Sequence, residues 1–195
     1  MATLSQLVAA IATVEGIDAE RVAAIGRAAR EEGLIRTSGR GTSAAQMSES
    51  DAANLLIATN AADTARTAPA VIAQYRALQA RRKRTSEFGS ELEELLSAAK
   101  RERLADYVTK MVALLGTRGH VLGRKPFANE AYRFSIEFEK PIPSVLLGIW
   151  VQHGRSDYID FFDRRQPANE VSGDRRERTR ITHRTILAVA NVLRT

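Results

Sequence analysis

The chain contains no cysteine among its 195 residues. This absence excludes disulfides, zinc sites with thiolate ligands and cysteine nucleophiles. It also makes a reducing compartment the simplest location. The opening segment, MATLSQLVAAIATVEG, has neither a basic leader nor a cleavage site, so secretion is not expected. We therefore expect a cytoplasmic protein.

Long apolar runs are missing too. No stretch approaches the roughly 18 apolar residues that span a bilayer, so we expect no membrane partner. Motifs of catalysis are equally scarce, because the three histidines lack His-x-x-x-His or His-Glu-x-x-His metal spacing. Only His153, near Asp157 and Asp160 in sequence, suggests a general base. We expect a protein that is not an enzyme and that has no cofactor or metal.

What the chain has in excess is positive charge. Lys and Arg number 29 against 23 Asp and Glu, which gives a formal net charge of +6. A basic excess favours a polyanionic partner, because neutralising phosphates releases condensed counterions. The alternative is a genome rich in G and C, which raises Arg and Ala content whatever the function. The positions of the basic residues must therefore decide.

Four helices are predicted in the first 80 residues. Each begins at a residue type common at helix N-termini, and apolar residues then recur at helical spacing. The second helix ends at a glycine suited to the left-handed C-terminal position. The residues that mark these helices are Thr3, Asp18, Gly33, Ser48 or Ser50, and Pro69.

A break in composition follows at residues 81–90, RRKRTSEFGS. Its four consecutive cations are typical of a linker or of the solvated end of the fourth helix. An amphipathic pattern then predicts a long helix over 90–115. Its broad leucine face has two interpretations of equal weight: packing against a second copy, or packing within the monomer.

Period-2 alternation beyond residue 130 predicts β-structure. Glu137 and Glu139 share one face of the first strand, and a charged edge strand explains them without catalysis. The segment 157–162 fits a third strand or the start of a helix. The predicted elements are strands at 131–139 and 144–151, an arginine-rich loop at 164–180, and a closing helix at about 182–193.

These elements predict an α+β fold that is mainly α. We expect a winged-helix-like helical module over 1–80, a basic linker and long connecting helix over 81–118, and a small α+β domain over 119–195. The last of these would serve oligomerisation, sensing or partner contact.

The stretch 19–41 carries the functional prediction. A periodic helix ends in Ala29-Arg30-Glu31-Glu32-Gly33-Leu34-Ile35, and the glycine-bearing basic loop Arg36-Thr37-Ser38-Gly39-Arg40-Gly41 follows. Over about residues 3–60 this order resembles winged helix-turn-helix proteins of bacteria and phage. The resemblance implies that the second helix reads the major groove. It also implies that Arg40, or alternatively Arg36, contacts an adjacent minor groove or a phosphate.

The predicted partner is therefore double-stranded DNA, bound by a homo-oligomer that acts as a transcriptional regulator. One alternative is a DNA-recognition subunit of a phage packaging machine, similar to a small terminase. Another is a structural or interaction protein that does not bind DNA. The candidate DNA contacts are Arg21, Arg27, Arg30, Arg36, Arg40, Arg81, Arg82, Lys83 and Arg84.

Overall fold

The structure, a computed structural model, describes residues 2–37, 46–82, 103–116, 121–122, 125–126, 132–151, 156–163 and 176–195. In these residues six helices accompany a five-stranded antiparallel sheet. The predicted α+β class is therefore confirmed. The helices are α1 (Leu4–Glu15), α2 (Ala19–Glu31), α3 (Glu49–Ala61), α4 (Ala68–Arg76), α5 (Leu104–Gly116) and α6 (His183–Val192).

The predicted start signals of the first three helices are confirmed. The Thr3 side chain accepts a hydrogen bond from the Gln6 backbone as part of a capping box. Asp18 caps α2 through the Glu20 amide, and Ser48 rather than Ser50 caps α3. Each cap satisfies an amide that the helix itself leaves without a partner.

The end of α2 is also where the sequence placed it. Gly33 has φ +69°, a left-handed conformation that costs a residue with a side chain about 1–2 kcal/mol. The Gly33 amide donates to Arg30 O at 3.0 Å, and the Leu34 amide donates to Ala29 O at 2.9 Å. This pair of bonds is a Schellman motif, and it turns the buried side chain of Ile35 back onto the core.

The sheet combines strands that are far apart in sequence. The strands are β1 (Gln79–Arg82), β2 (Val121–Leu122), β3 (Lys125–Pro126), β4 (Tyr132–Lys140), β5 (Ser144–Val151), β6 (Ser156–Phe162) and β7 (Glu177–Thr182). The order in the five-stranded sheet is β1-β6-β5-β4-β7, and β2 pairs with β3 in a separate two-stranded ribbon.

Three predictions about this region need correction. Residues 177–180 belong to β7 and not to a loop, because they pair with β4 from Glu137 to Lys140. For the same reason β4 is an internal strand, so the edge-strand explanation of Glu137 and Glu139 is wrong. The segment 157–162 lies in strand β6, and the helical alternative is therefore wrong.

The predicted helix over 90–115 is not continuous through residue 103. Arg103 forms an isolated β-bridge with Gln79, and the Leu104 amide donates to Leu78 O at 3.0 Å. These backbone bonds place the start of α5 at Leu104. Residues 90–102 lie outside the described part of the chain. The apolar face of α5 is buried within this chain, which favours packing within the monomer: Leu104, Val108, Met111, Val112 and Leu115 are each fully buried.

One hydrophobic cluster joins the helices and the sheet. Helix α3 lies at its centre, since every residue from Asp51 to Ala61 is buried. It packs against α2, α4 and α5, while α1 packs against α6. The predicted boundary between residues 80 and 81 falls inside β1. The division into three units stays a prediction.

Candidate nucleic-acid interface

Helix α2 has one buried and one exposed side. Val22, Ile25 and Ala29 are fully buried, while Arg27 is exposed on the opposite side. Arg27 and Arg30 line a shallow groove of about 460 Å³ between α1 and α2. The rest of its lining is mainly small or apolar: Leu4, Ser5, Val8, Ala9, Ala19, Glu20 and Ala23. A cationic groove with small residues lets a phosphate backbone approach closely.

Arg21 lies apart from this groove, although it is on the same helix. Its Nη2 donates to Ala62 O at 3.1 Å, just beyond the end of α3. It lines a polar cavity of about 390 Å³ together with Glu15 and Asn60. Among the candidate contacts on α2, the structure therefore places Arg27 and Arg30 together and Arg21 elsewhere.

Glu15 is the acidic group of this polar cavity. Its Oε1 accepts a hydrogen bond from Asn60 Nδ2 at 3.2 Å. Burial raises the pKa of Glu15 from 4.5 to about 7, and the Asn60 hydrogen bond and the Arg21 charge only partly oppose that rise. A carboxyl group in this state gains or loses its proton near neutral pH.

Arg36 is held by Asp51, a buried carboxylate in the first turn of α3. Asp51 Oδ1 accepts from the Arg36 amide at 3.0 Å, and Asp51 Oδ2 lies 3.4 Å from Arg36 Nε. The same carboxylate accepts from the Ser48 amide at 2.8 Å. Asp51 thus joins the residues that precede residues 38–45 to those that follow them. Arg40 itself lies outside the described residues.

The chain also returns to its own beginning after residue 45. The Met47 amide donates to Ala2 O at 2.8 Å, and both side chains are buried. The residue two positions before α1 and the residue two positions before α3 are therefore hydrogen-bonded to each other, next to the start of α1.

The basic run at residue 81 begins inside the sheet. Arg81 and Arg82 belong to β1, where they pair with Asp160 and Ile159 of β6. The expectation of a linker or a helix end is therefore wrong for these two residues, because their backbone forms strand hydrogen bonds. Lys83 and Arg84 lie outside the described residues.

One face of the sheet carries a group of residues that the sequence analysis did not single out. Arg133 of β4 lies opposite Trp150 of β5. The Arg180 guanidinium carbon lies 5.6 Å from the centre of the Trp150 ring. The Tyr158 ring is nearly perpendicular to the Trp150 ring, and the two ring centres are 5.9 Å apart. The sequence predicted strands for Arg133 and Trp150 but a loop for Arg180, and only the strand register places these residues side by side.

His183 and Arg184 complete this corner of the sheet, where β7 passes into α6. The His183 ring stacks on Phe134, with ring centres 6.0 Å apart. Both ring nitrogens are buried and, within the described chain, neither has a hydrogen-bond partner. Burial lowers the pKa of His183, and the nearby positive charge of Arg133 lowers it further. We call Arg133, Trp150, Arg180, His183 and Arg184 the Trp150 corner.

The chain was compared with known protein families, curated proteins and solved structures. No family model, curated protein or solved structure matches this chain. Within the described residues, no helix is long and apolar enough to cross a membrane. The same residues contain no group of three or more His, Asp and Glu side chains that could hold a metal ion. Two surfaces therefore carry the candidate binding residues: the groove between α1 and α2, and the Trp150 corner.

Proposed function

We propose that this protein binds double-stranded DNA through α2 and the segment that follows it, as a winged helix does. The observation that carries the proposal is the hydrogen bond from the Met47 amide to Ala2 O. Together with Asp51, which binds the amides of both Arg36 and Ser48, this bond holds together the residues on either side of the segment that contains Arg40. That segment follows α2 directly in the chain, as the wing arginine of the resemblance requires.

The surface of α2 supports the same proposal. Arg27 is exposed. Ala23 and Ala24 on the same helix have small side chains, so the DNA backbone can approach α2 closely there. Arg30 lines the same groove as Arg27, so two cations converge there. Arg36 lies just before residues 38–45 and keeps an exposed side chain despite its ion pair with Asp51.

Under this proposal the protein is a transcriptional regulator of the cytoplasm that binds DNA as a homo-oligomer. Two copies of α2 would then meet successive half-sites on one face of the duplex. Sedimentation with and without duplex DNA tests this part. A protein that stays monomeric in both conditions would contradict it.

The decisive experiment measures binding to duplex DNA as a function of salt concentration. We expect Arg27→Ala/Arg40→Ala to bind more weakly than the wild type. If both arginines contact phosphates, the salt dependence of log K should become less steep by roughly 2, since each contact contributes about 0.9. A loss confined to certain DNA sequences would instead indicate contacts to base edges.

Arg66→Ala is the matched control. Arg66 is an exposed arginine between α3 and α4, and it belongs neither to the groove between α1 and α2 nor to residues 36–45. We expect this variant to bind like the wild type. Binding by the wild type that does not depend on salt, or a double variant that binds as tightly as Arg66→Ala, would refute the proposal.

A further inference from the structure

The six-membered ring of the Trp150 indole reaches over Gly148 of the same strand. An ideal Cβ built on Gly148 would be 2.5 Å from Trp150 Cη2 and 3.0 Å from Trp150 Cζ3. The indole therefore occupies the space that a side chain at position 148 would fill. Aromatic rings held against an open sheet are surfaces on which nucleic-acid bases stack.

The charges on this face are divided between its two ends. Toward one end, Glu139 is paired with Arg178 at 2.8 Å and with Arg176 at 3.3 Å. Glu137 is also close to Arg178, at 3.4 Å. At the Trp150 end no described carboxylate forms an ion pair with Arg133, Arg180 or Arg184. Within the described residues, the charges of these three arginines are therefore not paired with a carboxylate, and Tyr158, which adjoins the Trp150 ring, is 44% exposed.

A cavity of about 480 Å³ adjoins these residues. Its lining includes the Trp150 ring, three arginines and His183. His183 is only 7% exposed, and its buried nitrogens have no partner in the described chain. A buried imidazole without hydrogen bonds is costly, and a ligand that supplied a donor or acceptor would remove that cost. The cavity falls within the usual volume range of small-ligand sites.

We propose that the Trp150 corner binds one nucleotide unit, with its base stacked on Trp150 and its phosphate held by Arg133 and Arg184. Arg180 adds a cation at the ring, as arginines do where bases stack. The unit belongs either to a free mononucleotide or to a single strand of nucleic acid. This site is separate from α2 and does not depend on the duplex-binding proposal.

Trp150 is the only tryptophan of the chain, so its fluorescence reports on this site alone. We expect quenching when a single-stranded dT oligonucleotide or adenosine monophosphate is added. Tighter binding of the oligonucleotide identifies a strand as the source, and equal binding identifies the free nucleotide. If neither probe quenches Trp150, the proposal is wrong. Emission that changes only with protein concentration would mean that a second copy covers this face, which also overturns the proposal.

Variants locate the contacts, with fluorescein-labelled dT oligonucleotide and anisotropy as the measurement. Trp150→Ala should weaken binding about tenfold or more, as loss of one stacked base does. Arg133→Ala/Arg184→Ala should weaken binding and reduce the salt slope by about 0.7, because the two arginines hold one phosphate and each phosphate contact on a single strand contributes about 0.7.

Arg178→Ala is the matched control, because Arg178 lies on the same sheet face but is paired with Glu139. It should bind like the wild type. Equal binding by Trp150→Ala and Arg178→Ala, with circular dichroism showing both folded, would refute the site. Duplex binding through Arg27 and Arg40 is scored separately, so failure of one proposal is distinguishable from failure of the other.

Discussion

Replacing Glu15 with glutamine should stabilise the protein above neutral pH. Glu15 is largely buried at the end of α1, and its pKa is raised to about 7 by that burial. Glutamine has almost the same shape and keeps an oxygen that can accept the Asn60 hydrogen bond. It carries no charge, so the cost of burying a carboxylate is absent from the variant.

The sign and size of the effect follow from proton binding. In the unfolded chain the pKa of Glu15 is 4.5, whereas burial in the folded protein raises this pKa to about 7. Between these values the folded state binds more protons, so wild-type stability falls as the pH rises from about 4.5 to 7. Each pKa unit is worth about 1.4 kcal/mol, which makes the full effect about 3 kcal/mol.

Urea unfolding at pH 5 and pH 8 measures this difference. Glu15→Gln and the wild type should differ little at pH 5, and the variant should be more stable by about 3 kcal/mol at pH 8. In thermal unfolding that corresponds to a rise in Tm of roughly 6–12 °C for a chain of this size. Glu31→Gln, an exposed position on α2, should show neither change. Equal stability of Glu15→Gln and the wild type at pH 8 would refute the reasoning.

Two further substitutions test the surroundings of the proposed sites. Asp51→Ala leaves the amides of Arg36 and Ser48 without their acceptor, so it should cost about 2–4 kcal/mol of unfolding free energy. Asp63→Ala, which removes an exposed partner of Lys140, should cost under about 1 kcal/mol, and equal losses would contradict this account. Gly148→Ala should lift the Trp150 ring from the sheet, at a cost of about 1–3 kcal/mol. Its fluorescence should shift to the red, and an unchanged spectrum would show that the ring does not lie on Gly148.

Local signals in the sequence predicted local structure well. Thr3, Asp18, Ser48 and Gly33 act within one turn of their own helix, so their roles follow from residue type and spacing. The strand at 144–151 was likewise predicted from its apolar residues and matches β5.

The long-range pairing could not be predicted in the same way. Nothing near Gln79 indicates that it pairs with Phe162, or that residues 177–180 continue the sheet beside β4. The loop predicted for residues 177–180 was wrong because an arginine-rich segment is typical of a loop. In β7 Arg178 is accommodated because Glu137 and Glu139 lie on the neighbouring strand. The Trp150 corner depends on the same register and was missed for the same reason.

The packing of α1 against α6 bears on how this chain is made. A ribosome synthesises residues 4–15 long before residues 183–192, so α1 cannot pack against α6 until nearly the whole chain has been made. Until then Leu7 and Ile11, which are fully buried in the finished fold, remain partly exposed to solvent. Strand β1 likewise cannot pair until β6 has been synthesised. Nascent chains stalled before residue 183 should therefore be sensitive to protease in α1, and those that include α6 should be protected.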